Sequence, residues 1–191
     1  MMFERRSAMV TLLANRPKNL FVVPGLGSCT WDTFAAGDDD RNFYLWGGMG
    51  GTAMIGLGLA IAKPNLRVAV ITGDGEMLMG LGSLATIGVQ RPPNLAVVVF
   101  DNGHYGETGM QASHTHGTTD LLAVARGCGI ERVIDVEDEA GLRELAGLLA
   151  TSDRTLFARV RILADDPPRA LPEKDGVIIK DRVRRAVEKA G

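Results

Sequence analysis

Cysteine is nearly absent from this 191-residue chain: Cys29 and Cys128 are the only two. That is too few for a disulfide framework or for a four-thiolate iron–sulfur cluster. A strongly apolar run of membrane length is missing as well. One uncharged stretch, Leu45 to Ala62, holds 18 residues, six of them glycine, whereas a spanning helix needs about 20 predominantly apolar ones. The first residues, Met1 to Arg6, are charged from Glu4 onward and lack the apolar core of a signal peptide. Positive charge is not in excess either. Lys and Arg number 21 against 23 Asp and Glu, a formal charge of −2 with no basic stripe, which argues against nucleic acid as a partner. The simplest reading is a cytoplasmic protein that engages neither membrane nor nucleic acid.

What is present in excess is glycine, 24 of 191 residues, about one in eight against a usual share of about 7%. The glycines cluster at 25–27, 47–51, 73–75, 80–82 and 103–109, mostly at the ends of apolar runs. Glycine allows close approach of backbone to a ligand and positive φ, so this placement points to a phosphate-containing cofactor. Otherwise the composition is ordinary for a globular protein, with 46% apolar and 23% charged residues. The length suits one domain spanning 1–191 better than two.

Apolar runs of strand length alternate with segments of helical period. Strands are predicted at Leu20–Val23, Arg67–Thr72, Leu95–Phe100, Arg132–Val136 and Leu156–Ile162, with a possible further one at Asn42–Trp46. Helices are predicted at Phe3–Ala14, Thr52–Ala62, Met77–Gln90, Asp120–Arg126 (capped by Gly127) and Glu139–Ala150. Thr52–Ala62 is apolar on nearly every side and should be buried. A Pro- and Asp-rich linker over 164–176 precedes a last helix at Val177–Ala190. The alternation predicts an α/β fold, an open and mostly parallel sheet with helices on both faces. Such sheets bind ligands beyond the carboxyl ends of their strands, where the glycines fall.

Gly73-Asp74-Gly75 closes one predicted strand, and Asp101-Asn102-Gly103 closes the next. A carboxylate and an amide at successive strand ends can converge on one hard cation such as Mg²⁺, with phosphate oxygens and water completing its shell. Gly73 and Gly75 would let the backbone close on a diphosphate, facing the N-terminus of the following helix. The competing account is a pair of ordinary strand-to-helix turns, in which Gly and Asp are common.

Gly73-Asp74-Gly75, 26 intervening residues and Asn102 together resemble the signature of thiamine diphosphate enzymes. Trp46-Gly47-Gly48-Met49-Gly50 is similar to that family's glycine segment with a large apolar residue, and Pro24-Gly25-Leu26-Gly27-Ser28 to its first diphosphate loop. Arg41 to Tyr44, Gly82 to Thr86, Asp101 to Gly106, Thr108 to Gln111 and Gly127 to Ile130 carry the likeness along the chain. Within the family it is to the sulfopyruvate and phosphonopyruvate decarboxylases. The resemblance implies a lyase, a subunit that binds thiamine diphosphate and Mg²⁺ and decarboxylates a small 2-oxo acid. It implies cofactor contacts from Gly27 and Ser28, from Gly47, Gly48 and Met49, from Gly73, Asp74, Gly75 and Glu76, and from Asn102, Tyr105 and Gly106. Asp74 and Asn102 would ligate the metal with the main-chain carbonyl of His104. Met49 would hold the cofactor bent, while Gly47 C=O and Met49 N–H would bond its pyrimidine. The family's catalytic glutamate sits on a separate pyrimidine-binding domain, for which this chain has no room. A partner subunit in a hetero-oligomer would therefore supply it.

His104, His114 and His116 follow Asn102 closely. His114 and His116 are the local candidates for contacting an anionic substrate; the alternative is a surface loop that happens to be His-rich. Glu107 and Thr108 could reach the same cavity. Gly48-Met49-Gly50-Gly51-Thr52-Ala53 also satisfies the dinucleotide pattern G-x-G-x-x-A, but a poor strand precedes it, and a nicotinamide reading leaves Asn102 unexplained. Other readings are an acetolactate-synthase-like carboligase subunit and a non-catalytic cofactor-binding subunit. A 2-oxo-acid:ferredoxin oxidoreductase β chain is disfavoured by the missing cluster cysteines.

Overall fold

The computed structural model describes residues 2–190, so Met1 and Gly191, the two ends of the expected domain, lie outside the described residues. Five parallel strands form the central sheet: β1 (Leu20–Pro24), β2 (Arg67–Gly73), β3 (Leu95–Asp101), β6 (Arg132–Val136) and β7 (Leu156–Arg161). Their spatial order is β1-β2-β3-β7-β6. Two further two-residue strands, β4 (His104–Tyr105) and β5 (Gln111–Ala112), make a small antiparallel hairpin beyond the end of β3.

The continuous apolar runs arise because the central strands are covered on both faces. Along β3, Ala96, Val98 and Phe100 enter one core and Leu95, Val97 and Val99 the other. The first core receives Met9 and Leu12 of α1 (Arg5–Leu13), Cys29 of α2 (Ser28–Ala35), and Leu142, Leu145 and Leu149 of α7 (Glu139–Thr151). The second receives α3 (Thr52–Ala62), α4 (Asp74–Met79), α5 (Ser83–Gln90) and α6 (Leu121–Gly127). Connections from β1 to β2, β2 to β3 and β3 to β6 run one way across the sheet, with α3, α5 and α6 on one face. The step back from β6 to β7 carries α7 on the opposite face, as a constant crossover hand requires.

The structure differs from the sequence reading at five places. Asn42–Trp46 contributes only an isolated bridge, Asn42 to Val22, and no full strand. The helix expected over Met77–Gln90 starts earlier, at Asp74, and breaks at Gly80–Gly82 into α4 and α5. Crowding requires glycine at that break: a Cβ on Gly80 would meet the carbonyl oxygen of Gly50 at 2.1 Å. α2 was not foreseen; it opens on Gly27 without a side-chain cap and contains Thr30, Trp31, Asp32 and Thr33, weak helix formers. Gly127 is the last residue of α6 and not its cap. Finally, α3 is not buried all round: Met54, Ile55 and Ile61 are exposed. α8 (Gly176–Ala190) packs Val183 against Phe21 and Leu66 at the β1 edge. No helix among the described residues is long and apolar enough to cross a membrane.

Candidate functional site

A cleft opens beyond the carboxyl ends of β1, β2 and β3, lined by Ser28, Met49, Gly73, Asp74, Gly75, Glu76, Asn102, His104, Tyr105 and Gly106 among others. Sheet register builds its centre. Gly73 pairs with Phe100, so Asp74 stands level with Asp101. Thr115 Oγ1 then bridges the two carboxylates, 3.1 Å from Asp74 Oδ2 and 2.8 Å from Asp101 Oδ1. Ser113 Oγ also donates to Asp74 Oδ2. Asp74 is 2% exposed. Burial raises its carboxyl pKa, hydrogen bonds from Ser113 and Thr115 oppose that, and the charge of Asp101 reinforces it. Two carboxylates held this close favour a cation between or beside them.

Asn102 Oδ1 accepts the His104 N–H at 2.8 Å and keeps a second lone pair. Among the described residues no group of three or more His, Cys, Asp or Glu is placed to hold a metal by itself. The donor set is oxygen-rich and incomplete. It fits Mg²⁺, which usually takes one or two protein oxygens and completes its shell with water and phosphate.

Glu76 is 5% exposed, and its carboxylate is committed to the protein. It accepts from Thr72 Oγ1 at 2.9 Å, from Thr52 Oγ1, and from Gly50 N–H at 3.3 Å. One side chain thereby ties the Gly73–Gly75 turn to the glycine loop before α3. On that loop Gly48 (φ +75°) and Gly50 (φ +86°) adopt left-handed backbone that glycine permits, and Met49 stands between them at 40% exposure. Gly47 and Gly48 lie at the exposed rim and do not line the cleft; Gly27 is buried between two lining residues, Leu26 and Ser28. Gly75 is required by Tyr105, whose ring would meet a Cβ there at 2.8 Å.

His114 and His116 are not brought to the cleft. Ser113 and Thr115 point inward to Asp74, so the residues alternating with them face out, and both histidines are exposed. His114 Nδ1 shares a hydrogen bond of 2.7 Å with the Tyr105 hydroxyl. Glu107 and Thr108 both line the cleft. The reading of the sequence passed over Asp101, Ser113 and Thr115 as working groups. A Ser-x-Thr pair shortly after Asp-Asn-Gly was the only local signal for them. The segment expected as a linker is also more than that. Asp165, Asp166 and Arg169 line the cleft, and the Arg169 guanidinium lies 4.6 Å over the Trp31 ring. Trp46 Nε1 donates to Glu173 O at 2.7 Å, anchoring the far end.

Residues 27–157 match the family described as "Thiamine pyrophosphate enzyme, C-terminal TPP binding domain". The chain belongs to that family. It is 35% identical over 188 residues to sulfopyruvate decarboxylase subunit beta of Methanococcus maripaludis, covering 96% of this chain and 98% of that one. To the subunit of the same name from Methanocaldococcus jannaschii it is 39% identical over 133 residues, 69% of this chain and 70% of that one. Phosphonopyruvate decarboxylase of Streptomyces viridochromogenes is 40% identical over 153 residues; the match covers 80% of this chain but 38% of that longer protein. The fold is also that of benzoylformate decarboxylase from Polynucleobacter necessarius, with a TM-score of 0.68 at 21% identity, over 85% of this chain and 34% of that chain. The sulfopyruvate and phosphonopyruvate relatives are thus decarboxylases by name, and the family binds thiamine diphosphate.

Proposed function

We propose that this chain is the cofactor- and Mg²⁺-binding subunit of a 2-oxo-acid decarboxylase whose substrate carries a second anionic group of sulfonate or phosphonate type. The observation that carries the reading is the buried carboxylate of Asp74 beside Asp101 and Asn102, in a cleft whose rim bears Met49. Asp74 and Asn102, with the main-chain carbonyl of His104, would hold the metal. Ser28 and the backbone around Gly73 and Gly75 would hold the diphosphate, and Glu76 would keep the Met49 loop in register with them. Met49 would press on the middle of thiamine diphosphate and keep it bent. When bound, that cofactor supplies the electron sink for loss of carbon dioxide. The relatives' names supply the substrate class.

A second polypeptide belongs to the same reading. The glutamate that meets the pyrimidine comes from a pyrimidine-binding domain in this family, and two relatives are named as beta subunits. Met49 is exposed at the cleft, and Met54, Ile55 and Ile61 are exposed on α3, apolar side chains of the kind a partner surface covers. The test is carbon dioxide release from sulfopyruvate, phosphonopyruvate and pyruvate, with cofactor and Mg²⁺, by this chain alone and after addition of a pyrimidine-domain polypeptide. Turnover is expected only with the pair, and fastest on one of the two dianionic acids. Robust turnover by the chain alone would overturn the subunit reading, and exclusive use of pyruvate the substrate class.

A further inference from the structure

Arg5 opens α1, yet its side chain does not reach solvent: it is 4% exposed and lines the cleft. Its Nη1 donates to Ser28 Oγ at 2.9 Å, and its Nε lies 2.9 Å from Asp32 Oδ2. Neither Nε nor Nη2 makes a hydrogen bond, and both atoms are closed off from solvent and from the cleft. Asp32 cannot neutralise Arg5 alone, because its other oxygen accepts from Arg6 Nε at 3.0 Å. Two guanidinium groups thus share one buried carboxylate. The next carboxylate oxygen, on Asp165, stands 3.9 Å from Arg5 Nε, beyond hydrogen-bond reach.

The chemistry of the Arg5–Ser28 contact has a direction. A guanidinium carries donors and no acceptor, so Ser28 Oγ must accept from Arg5, and its own hydrogen is left to donate elsewhere. Ser28 lines the cleft at the start of α2, where Gly27 provides no side-chain cap. The N–H groups of that first turn have no intrahelical acceptors. An oriented hydroxyl and a helix N-terminus thus occur together at the cleft. Both favour an anion.

We propose that Arg5 is a positioning residue of the diphosphate subsite: by donating to Ser28 Oγ it leaves the Ser28 hydroxyl hydrogen free to donate to a phosphate oxygen. This rests on the cofactor reading above and adds to it a residue from α1, an element that precedes every recognised motif of the site. The charge it supplies is independent of the metal at Asp74, so it acts on phosphate groups and not on the rest of the ligand.

The test titrates thiamine diphosphate and inorganic diphosphate, each with Mg²⁺, calorimetrically into the full chain. Arg5→Met is expected to weaken both ligands by about tenfold or more, the usual scale for a lost charge-assisted hydrogen bond. Arg5→Lys should recover part of that loss. Ser28→Ala should also weaken both, and the double variant should lose less than the product of the two single losses, since Arg5 works through Ser28. Wild-type affinity in a folded Arg5→Met variant, beside a wild type that binds both ligands, would overturn this proposal alone. Should Arg5→Met fail to fold, Ser28→Ala decides, and unchanged affinity there would also overturn it. A wild-type chain that took up neither ligand would remove the cofactor reading itself, and this proposal with it.

Discussion

A Cβ placed on Gly25 would stand 1.8 Å from Oε2 of Glu76. Glu76 cannot step aside, because Thr72 and Thr52 hydroxyls and the Gly50 N–H all hold its carboxylate in a buried position. The Pro24–Ser28 loop and the Gly73–Glu76 turn are therefore fitted to each other at the level of single atoms. Gly25→Ala is expected to cost about 1–3 kcal/mol, the usual penalty of overpacking, and to loosen the Met49 loop. Urea denaturation checks this, and an unchanged midpoint would refute the fit.

Within α3 the two inner glycines should behave oppositely. A Cβ on Gly56 would meet Val70 Cγ2 at 2.1 Å, while nothing lies within 4 Å of one on exposed Gly58. Gly58→Ala should stabilise the chain by about 0.5–1 kcal/mol, since alanine loses less backbone entropy in a helix. Gly56→Ala should destabilise it through strain. Thermal melts of the two variants give the comparison; shifts of the same sign would contradict it.

Asp74→Asn removes a charge that burial already disfavours. In the absence of ligand the variant should be at least as stable as the parent, having lost an unneutralised buried carboxylate. Its Mg²⁺-dependent uptake of thiamine diphosphate should disappear. Calorimetry with and without Mg²⁺ reads the second effect and unfolding the first. Retained metal-dependent uptake would show that the cation lies elsewhere.

Met49→Ala should reduce turnover by the assembled enzyme more than it reduces cofactor affinity, because the residue governs geometry and not anchoring. Met49→Leu, similar in volume, should be tolerated. Comparing the cofactor's Kd with kcat in both variants settles the point: equal kcat in the alanine variant would remove Met49 from the mechanism.

Asp39 gives a pH prediction away from the cleft. Burial alone would raise its pKa, but the side chain and backbone N–H of Arg41, with the charge of Arg16, hold it down to about 2. Because the folded-state value is depressed, the stabilisation is complete above the unfolded value of about 3.9 and is lost as pH falls from there toward about 2. The carboxylate is 28% exposed, so its contribution is discounted for solvent screening to about 1 kcal/mol. Asp39→Asn should therefore destabilise the chain by about that much at pH 7, with the gap from the parent narrowing below pH of about 4. A gap that widened on acidification would contradict the sign.

Much of this molecule was legible in its amino-acid order because the causes are local. Leu95–Phe100 reads as a buried parallel strand since every residue in it must meet a covered face, and β1, β2 and β7 follow by the same rule, whereas β6 at the sheet edge is only half-buried. Gly73-Asp74-Gly75 and Asn102 were readable because strand ends in a parallel sheet converge on one edge whatever the details of packing. Met49 was singled out through the likeness of Trp46–Gly50 to the family's glycine segment, and the structure places it exposed between Gly48 and Gly50.

The rest depended on contacts between distant parts of the chain. Glycine at position 80, where the helix breaks, is required by the carbonyl of Gly50, some thirty residues earlier, which no helical periodicity registers. α2 forms from weak helix formers because Cys29 and its neighbours are packed against the sheet, so burial outweighs propensity. His114 and His116 were attractive by chemistry alone, yet Ser113 and Thr115 take the inward positions because Asp74 and Asp101 need donors. Arg5 reaches Ser28 and Asp32 only after α1 and α2 dock on the same face of the sheet. Sequence alone determined the strands and placed Asp74 and Asn102 together at one edge of the sheet. Tertiary structure decided which side chains of the connecting segments meet them, because hydrogen bonds and charges act over a few ångströms of space regardless of separation along the chain.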